Sequence, residues 1–377
     1  MNDRPASVSQ SGHAATNLSP PEVAAVRAGE DLDWDRLARY LRTRTELREA
    51  LVDIDGPFSV EQFPNGSANL TYLLHLGSTS VVLRRPPFGR IAPGAHDMKR
   101  EYRVLSRLWR YYPPAPRALH LCSDIDVVGS DFVVMEYRRG EVLWGQLTPS
   151  MAALSDASRR VGRATVDALA QLHILDPSAC GLGDLGRPEG FVARQVDGWS
   201  KRWELVASES EATLMGDLAV ALAAQMPETQ RTSILHNDFK VDNCQFEPGN
   251  PDRVSAVFDW DMATLGDPLI DLGTLLNYWP DPSDTADDKP ITPPGLDRMG
   301  LPTRSEVVEQ YSAVTGLDGS SAPWYEAFAC FKTAVVVQQL YARWERGESK
   351  DPRMADRGAW VAPMARRAAR ILERKPT

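Results

Sequence analysis

The stretch ILHNDFKVDNCQF, residues 234–246, sets several polar side chains inside a frame of apolar ones. A core strand tolerates charges only when they are paired or bind something, and a surface loop has no need of the apolar frame. Asp238 carries a carboxylate that can accept a proton from a hydroxyl group, and Asn243 follows five positions later. The stretch therefore predicts a rigid loop between two short buried strands, with polar groups that act together.

A second polar stretch, VFDWDMATLGDPLIDLG at residues 257–273, begins in the same way. Asp259 follows the apolar pair Val257 and Phe258, so two short strands that each end in a polar residue can form a hairpin. Asn243 and Asp259 would then aim hard oxygen ligands at one point, which suits Mg²⁺. Turn residues that merely cap a hairpin are the alternative. A base followed by two metal ligands is the order that phosphoryl transfer requires.

The earlier part of the chain contains residues suited to binding phosphate. FPNGSANLTYLL, residues 63–74, places a turn with Gly66 and Ser67 between strand-like runs, where backbone N–H groups could cover phosphates. Ser67 is equally well explained as a turn residue. VVLRR puts Arg84 on the next strand, and Glu101 lies in the following helix, where it can pair with that cation.

The 377 residues exceed one compact core and favour two lobes. Residues 1–30, rich in Ser, Asn, Ala and Pro, are predicted to be a disordered tail. The periodicity of residues 33–52 predicts one amphipathic helix. Strand-like runs dominate up to residue 138, and helical patterns dominate residues 139–377. The sequence therefore predicts an α+β protein with a small sheet-rich lobe at 31–138 and a larger, mainly helical lobe at 139–377.

Composition excludes several classes of protein. The chain has 42 basic and 51 acidic residues, a net charge of −9, which disfavours nucleic-acid binding. Four scattered cysteines without a CxxC pair are typical of reduced thiols in a cytoplasmic protein. The sequence shows no apolar run of membrane-spanning length and no signal peptide. We expect a cytoplasmic monomer or homodimer with no nucleic-acid or membrane partner.

Nine motifs, in order over roughly residues 60–348, resemble the aminoglycoside phosphotransferase family, which has a protein-kinase-like fold. The resemblance is closer to the branch that is free-standing in bacteria and fused to acyl-CoA dehydrogenases in animals. The motifs are GSANLTYLL, VVLRRPPFG, REYRVLSRL, VMEY, LAQLHILDP, GLGDLGRPEGFVARQVDGWSKRWE, HNDFKVDN, FDWDMATLGDPLIDLG and YARWERG.

The resemblance implies an enzyme that uses ATP and Mg²⁺ to phosphorylate a hydroxyl of a small molecule. It makes Asp238 the catalytic base and Asn243 and Asp259 the metal ligands. It also makes Arg84 the cation at the nucleotide phosphates and Glu101 the partner of that cation. The nucleotide-binding residues that it implies are Gly66, Ser67, Asn69, Arg84, Glu101, Met135, Glu136 and Tyr137, of which Met135 to Tyr137 form the hinge between the lobes.

Two residues depart from the family pattern. Asn237 stands where the family usually has glycine, and Asn accepts left-handed backbone better than most residues. Arg84 stands where protein kinases have lysine, but it remains charged and can hold two oxygens. The acceptor is expected to resemble a hydroxyacyl-CoA or an aminoglycoside. A nucleotide-binding pseudoenzyme or regulatory module and a protein kinase remain alternatives.

Other polar residues near the two stretches are expected to be structural. His236 should shape the loop, and Asp267 should cap a helix. Asp271 should accept hydrogen bonds from the loop backbone. Lys240 is expected either to contact the transferred phosphate or to be a solvated surface charge, and Asp242 is expected on the outer side of the loop.

Overall fold

The computed structural model describes residues 23–64, 69–89, 96–285, 294–349 and 351–373. The first part of the chain forms a five-stranded antiparallel sheet. Its strands are β1 (Phe58–Gln62), β2 (Leu70–Leu76), β3 (Thr79–Arg85), β4 (Ala118–Cys122) and β5 (Phe132–Glu136). Their order in the sheet is β1-β2-β3-β5-β4. Its helices are α1 (Trp34–Arg42), α2 (Thr45–Ala50), α3 (Met98–Leu108) and the short α4 (Ile125–Val128).

Strand β5 shows how this sheet is covered on both faces. Its side chains alternate between the two faces, as they do in any strand. Phe132 and Val134 pack in the apolar cluster that includes residues of α1 and α2. Val133 and Met135 belong to the main core, together with residues of α3. The sheet is therefore buried on both faces, which fixes the positions of the side chains at its end.

The helix predicted over residues 33–52 is interrupted. Helix α1 ends at Arg42, and Arg44 is extended before α2 begins. The Thr43 hydroxyl donates a hydrogen bond of 2.7 Å to the carbonyl of Tyr40, a local alternative to helical pairing. The prediction of one continuous helix was therefore wrong, because two helices occupy this segment.

The predicted disordered tail, residues 1–30, lies outside the described residues up to residue 22. Its last part, residues 23–30, is described and lies against the sheet. Ala24 forms an isolated bridge with Gln62 of β1, through two backbone hydrogen bonds of 2.8 Å. These residues thus cover part of an edge strand.

The larger lobe is mainly helical, so the predicted α+β arrangement of a small sheet-rich lobe and a larger helical lobe is confirmed. The strands of this lobe are β6 (Glu141–Val142), β7 (Ser233–Leu235), β8 (Cys244–Phe246), β9 (Val254–Val257) and β10 (Thr264–Gly266). They form two small sheets, with strand orders β6-β8-β9 and β10-β7. Within the described ranges, no helix is both long enough and apolar enough to cross a membrane. The helices are α5 (Pro149–Ala152), α6 (Ala157–His173), α7 (Phe191–Glu204), α8 (Ala212–Ala224), α9 (Leu269–Tyr278), α10 (Arg304–Thr315), α11 (Ala322–Glu345) and α12 (Val361–Glu373).

Candidate active site

Residues 236–243 form a loop that leaves β7 and enters β8 through a turn of 3₁₀ helix at Val241–Asn243. Strand β8 pairs with β9, with Cys244 opposite Val257. One step further along the same hairpin, the backbone N–H of Phe258 donates to the carbonyl of Asn243 at 2.9 Å. The hairpin therefore brings the end of this loop beside the residue that precedes Asp259.

His236 is fully buried and fixes the shape of the loop. Its Nδ1 accepts a hydrogen bond from the backbone N–H of Asp238 at 3.2 Å, and its Nε2 lies 2.8 Å from the carbonyl of Phe258. A carbonyl only accepts, so Nε2 donates and the ring is the neutral tautomer with one proton. The structure thus places His236 in the structural role expected for it, as a link between the loop and the β9 hairpin.

Asp271, on α9, anchors the start of the loop. Its two carboxylate oxygens accept the backbone N–H groups of His236 and Asn237 at 2.6 and 2.7 Å. Burial alone would raise the pKa of Asp271, but the contact with His173 and the hydrogen bond from His236 hold it below the usual value. The expected structural role of Asp271 agrees with these contacts. Asp267 lies two positions before α9 and accepts from the N–H of Leu269 at 3.0 Å, but the cap position itself is occupied by Pro268.

Asn237 adopts a left-handed backbone conformation, with φ of 67°. Its side-chain amide donates to the carbonyl of Met262 at 2.8 Å, and its own carbonyl accepts from Lys332 Nζ at 3.0 Å. The position therefore requires the conformation that glycine adopts freely and that Asn tolerates. Asn adds a link to the segment after Asp259 that glycine could not provide.

Asp238, the predicted base, has a carboxylate that is about one-quarter exposed. The amide of Asn243 donates to the Asp238 carbonyl at 2.7 Å and to its carboxylate at 3.2 Å. Lys240 Nζ pairs with the same carboxylate at 3.0 Å and lies 5.3 Å from the ring centre of Tyr278. Burial alone would lower the pKa of Lys240, but the charge of Asp238 holds it above the usual value. Lys240 therefore lies at the site and is not a solvated surface charge.

Arg84 joins the sheet-rich lobe to Asp259. Its guanidinium donates to the Glu101 carboxylate at 2.7 Å and also to the Asp259 carboxylate. Burial raises the pKa of Glu101 to about 7, and the charge of Arg84 opposes that shift. Burial would likewise raise the pKa of Asp259, but the Arg84 cation holds it below the usual value. The predicted pairing of Arg84 with Glu101 is present, and Asp259 is its second partner.

The side chains near Asp259 include oxygen donors of the type that small divalent cations bind. Asn243 uses its amide N–H₂ on Asp238, which leaves its carbonyl oxygen directed elsewhere, and Asp259 and Asp261 supply carboxylates close to Arg84. These are hard oxygen donors of the kind that Mg²⁺ prefers. Within the described part of the chain, no three His, Cys, Asp or Glu side chains converge on a metal position.

Of the other predicted nucleotide-binding residues before the hinge, Asn69 joins this network through Asp261. Gly66 and Ser67 fall outside the described residues. Asn69 is buried and its side chain contacts His96 at 2.8 Å and Asp261 at 3.3 Å.

The predicted hinge, Met135 to Tyr137, overlaps the end of strand β5, whose last two residues are Met135 and Glu136. Met135 is in the main core, and the N–H of Glu136 donates to the carbonyl of Arg117 at 2.9 Å. The Glu136 carboxylate pairs with Arg138, and the ring of Tyr137 lies 6.4 Å from that of Phe63. Pairing within the chain therefore already uses the Glu136 N–H group.

Two residues at the site were not singled out from the sequence. Asp261, two positions after Asp259, was visible as the second carboxylate of FDWD. Lys332 lies 95 positions after Asn237 and comes from α11. The one feature of the sequence that could have drawn attention to Lys332 is that it is the only charged residue in the run AFACFKTAVVVQQLYA, residues 327–342.

Comparisons with known proteins identify the family of the chain. The model of the phosphotransferase enzyme family matches residues 59–292. Acyl-CoA dehydrogenase family member 10 of Mus musculus is 30% identical over 93% of this chain and 32% of its own length. Family member 11 of Gallus gallus is 30% identical over 94% of this chain and 45% of its own length. The chain thus spans 32% to 45% of the length of these curated relatives.

Solved structures give the same result for the fold. A crystal structure from Ralstonia eutropha assigned to the aminoglycoside phosphotransferases has a TM-score of 0.74 and 30% identity, covering 91% of this chain and 99% of that one. An aminoglycoside phosphotransferase in a ternary complex with ADP and hygromycin B has a TM-score of 0.55 and 16% identity, covering 84% and 95%. The predicted kinase-like fold is confirmed, and the chain belongs to the phosphotransferase enzyme family.

Proposed function

We propose that this protein transfers the γ-phosphate of ATP, in the presence of Mg²⁺, to a hydroxyl group of a small metabolite. The observation that carries the proposal is the position of Asp238. Its carboxylate is held by Asn243 and faces Lys240, and Asn243 is hydrogen-bonded across the hairpin to Phe258, the residue before Asp259. A base, a cation and metal-type oxygen donors on one rigid hairpin are the parts that phosphoryl transfer needs.

In this proposal Asp238 accepts a hydrogen bond from the acceptor hydroxyl and takes its proton as the new O–P bond forms. Asn243 and Asp259 would hold Mg²⁺, which neutralises charge on the donor phosphates when it is bound. Lys240, beside Asp238, would contact the phosphoryl group in transit. Arg84, supported by Glu101, would hold oxygens of the nucleotide. The products are ADP and the phosphorylated acceptor.

The complexes of similar proteins support a nucleotide and a hydroxylated acceptor. One is solved with ADP and hygromycin B, and another with GDP and kanamycin. The curated relatives are named as acyl-CoA dehydrogenase family members, which favours a hydroxyacyl-CoA as a second acceptor class. Both classes contain a hydroxyl that Asp238 could activate.

The experiment is an assay of ADP release with Mg-ATP across hydroxylated acyl compounds and aminoglycosides. We expect Asp238→Ala to lower the rate by about 100- to 10,000-fold, the usual contribution of a general base. Binding of a non-hydrolysable ATP analogue should change little in the same variant. Binding of the analogue by the wild type without turnover on any acceptor would instead support a pseudoenzyme. Transfer to protein substrates alone would support a protein kinase.

A further inference from the structure

A lysine from α11 reaches the catalytic loop without a carboxylate partner. Lys332 Nζ donates to the carbonyl of Asn237 at 3.0 Å, and in the ranges that the structure describes it forms no salt bridge. Burial lowers the pKa of Lys332, and the charges of Asp238 and Asp271 oppose that shift. An ammonium group has three N–H donors, so the bond to Asn237 leaves two for another acceptor.

The same ammonium lies beside Trp199, which comes from α7. Lys332 Nζ is 5.7 Å from the centre of the indole ring, and the guanidinium carbon of Arg202 is 4.6 Å from that centre. The indole Nε1 is buried and has no hydrogen-bond partner among the described residues. Two cations and one unused N–H donor therefore meet at one ring.

The nearby carboxylates are already engaged by other groups. Asp238 pairs with Lys240, and both oxygens of Asp271 accept backbone N–H groups of the loop. Buried charges are normally paired, and buried donors normally find an acceptor. Among the described residues, neither of these carboxylates is therefore left free to pair with Lys332, and an anion from a ligand could take that place.

We propose that Lys332, Trp199 and Arg202 form a subsite for a negatively charged group, a carboxylate or a phosphate, that the acceptor carries near its reacting hydroxyl. The proposal rests on the proposed function, because it assigns a substrate class to the same site. Lys332 and Trp199 lie on helices of the larger lobe, whereas Arg84 reaches the site from the sheet. The anion is therefore the acceptor's and not the nucleotide's. A polycationic acceptor would be repelled here.

Binding of matched probes tests the subsite without requiring turnover. Isothermal titration in the presence of Mg-ADP would compare 3-hydroxybutyrate with 3-hydroxybutyramide, and glycerol 3-phosphate with glycerol. We expect the anionic member of at least one pair to bind at least tenfold more tightly to the wild type. Lys332→Met should abolish that preference, since a charge-assisted hydrogen bond contributes roughly tenfold to hundredfold in affinity.

Three variants separate this role from a general effect on folding. Lys332→Arg keeps the charge and should keep most of the preference for the anion. Trp199→Phe keeps the ring and loses the N–H group, so its preference should fall by a smaller factor than that of Lys332→Met. Lys201→Met removes a lysine whose side chain is 68% exposed and paired with Asp197. This variant should prefer the anionic probe to the same degree as the wild type.

The outcomes also separate this proposal from the proposed function. If no anionic probe binds more tightly than its neutral partner, or if the preference survives in Lys332→Met, the subsite is refuted. The same holds if Lys332→Met weakens only the binding of Mg-ADP, because the anion would then be the nucleotide's. If anionic probes bind as expected but no acceptor leads to release of ADP from ATP, the subsite is supported and the proposed transfer reaction is refuted.

Discussion

The left-handed backbone of Asn237 makes a sharp prediction about two substitutions at one position. Asn237 has φ of 67°, and its side chain donates to the carbonyl of Met262 at 2.8 Å. Alanine removes the hydrogen bond and must also adopt a conformation that crowds its Cβ. Glycine removes the hydrogen bond but adopts the conformation without strain. The two replacements therefore separate the backbone requirement from the side-chain link.

The magnitudes follow from these two contributions. A left-handed conformation costs alanine roughly 1–2 kcal/mol, whereas Asn, with its short polar side chain, adopts it at a lower cost. The hydrogen bond to Met262 is solvent-exposed and contributes at the lower end of the usual range, about 0.5 kcal/mol. We expect Asn237→Ala to lower the free energy of unfolding by about 2 kcal/mol and Asn237→Gly to lower it by about 0.5 kcal/mol.

Urea unfolding at constant pH measures the stability difference, and ADP release measures its effect on the loop. Because Asp238 follows directly, a small shift of the loop should slow transfer by at least about tenfold in Asn237→Ala. Asn237→Gly should stay within about threefold of the wild type.

Asn250 provides a matched control. Its side chain also donates one hydrogen bond, to Glu247 at 2.8 Å, but its φ is not positive. At position 250 the glycine variant should be no more stable than the alanine variant, since glycine loses more conformational freedom on folding. If the alanine variant is as stable as the glycine variant, or more stable, at position 237 as well, the reasoning from the backbone is wrong.

Three further changes test the charged groups. Arg84→Gln should weaken binding of a Mg-bound ATP analogue at least tenfold by titration calorimetry, because Arg84 is the buried cation beside Asp259; unchanged affinity would exclude Arg84 from the nucleotide site. Lys332 has a lowered folded-state pKa, so its contribution to stability is present above the unfolded value of 10.5 and is lost as pH falls through the folded value. The stability of the wild type relative to Lys332→Met should therefore increase as pH rises towards 10.5, and a flat difference would contradict the burial of the ammonium. Burial also lowers the pKa of His120, against the effect of Glu46. The wild type should therefore lose stability relative to His120→Gln as pH falls below 6.5 in thermal unfolding, and the opposite slope would mean that the ion pair with Glu46 outweighs burial.

The sequence predicted those parts of the site that local structure determines. Asp238 and Asn243 meet because they share one short loop, and Asn243 lies beside Phe258 because adjacent short strands pair in a hairpin. The left-handed tolerance of Asn237 was also visible, since few other residue types could replace glycine there.

The parts that the sequence did not predict depend on contacts between distant segments. Arg84 and Asp259 are 175 positions apart, and Lys332 and Asn237 are 95 apart. The periodicity of α11 indicates only a helix, and it does not say which side chain faces the loop. The break between α1 and α2 was missed because apolar residues recur at helical spacing on both sides of Thr43 and Arg44, and the two runs were joined into one helix.

The buried Arg84 and the partly buried Lys332 differ in what they already bind, and this difference indicates how each receives a ligand. Arg84 contacts two carboxylates, those of Glu101 and Asp259, which already balance its charge, although its Nε–H group has no partner among the described residues. Mg²⁺ would favour nucleotide binding at Arg84, because Asp259 is also a proposed metal ligand and would then offset less of the Arg84 charge. Among the described residues Lys332 donates a hydrogen bond only to the carbonyl of Asn237, so an anion can bind it without displacing a carboxylate. Nucleotide binding should therefore depend strongly on Mg²⁺, whereas binding of an anionic acceptor group at Lys332 should not.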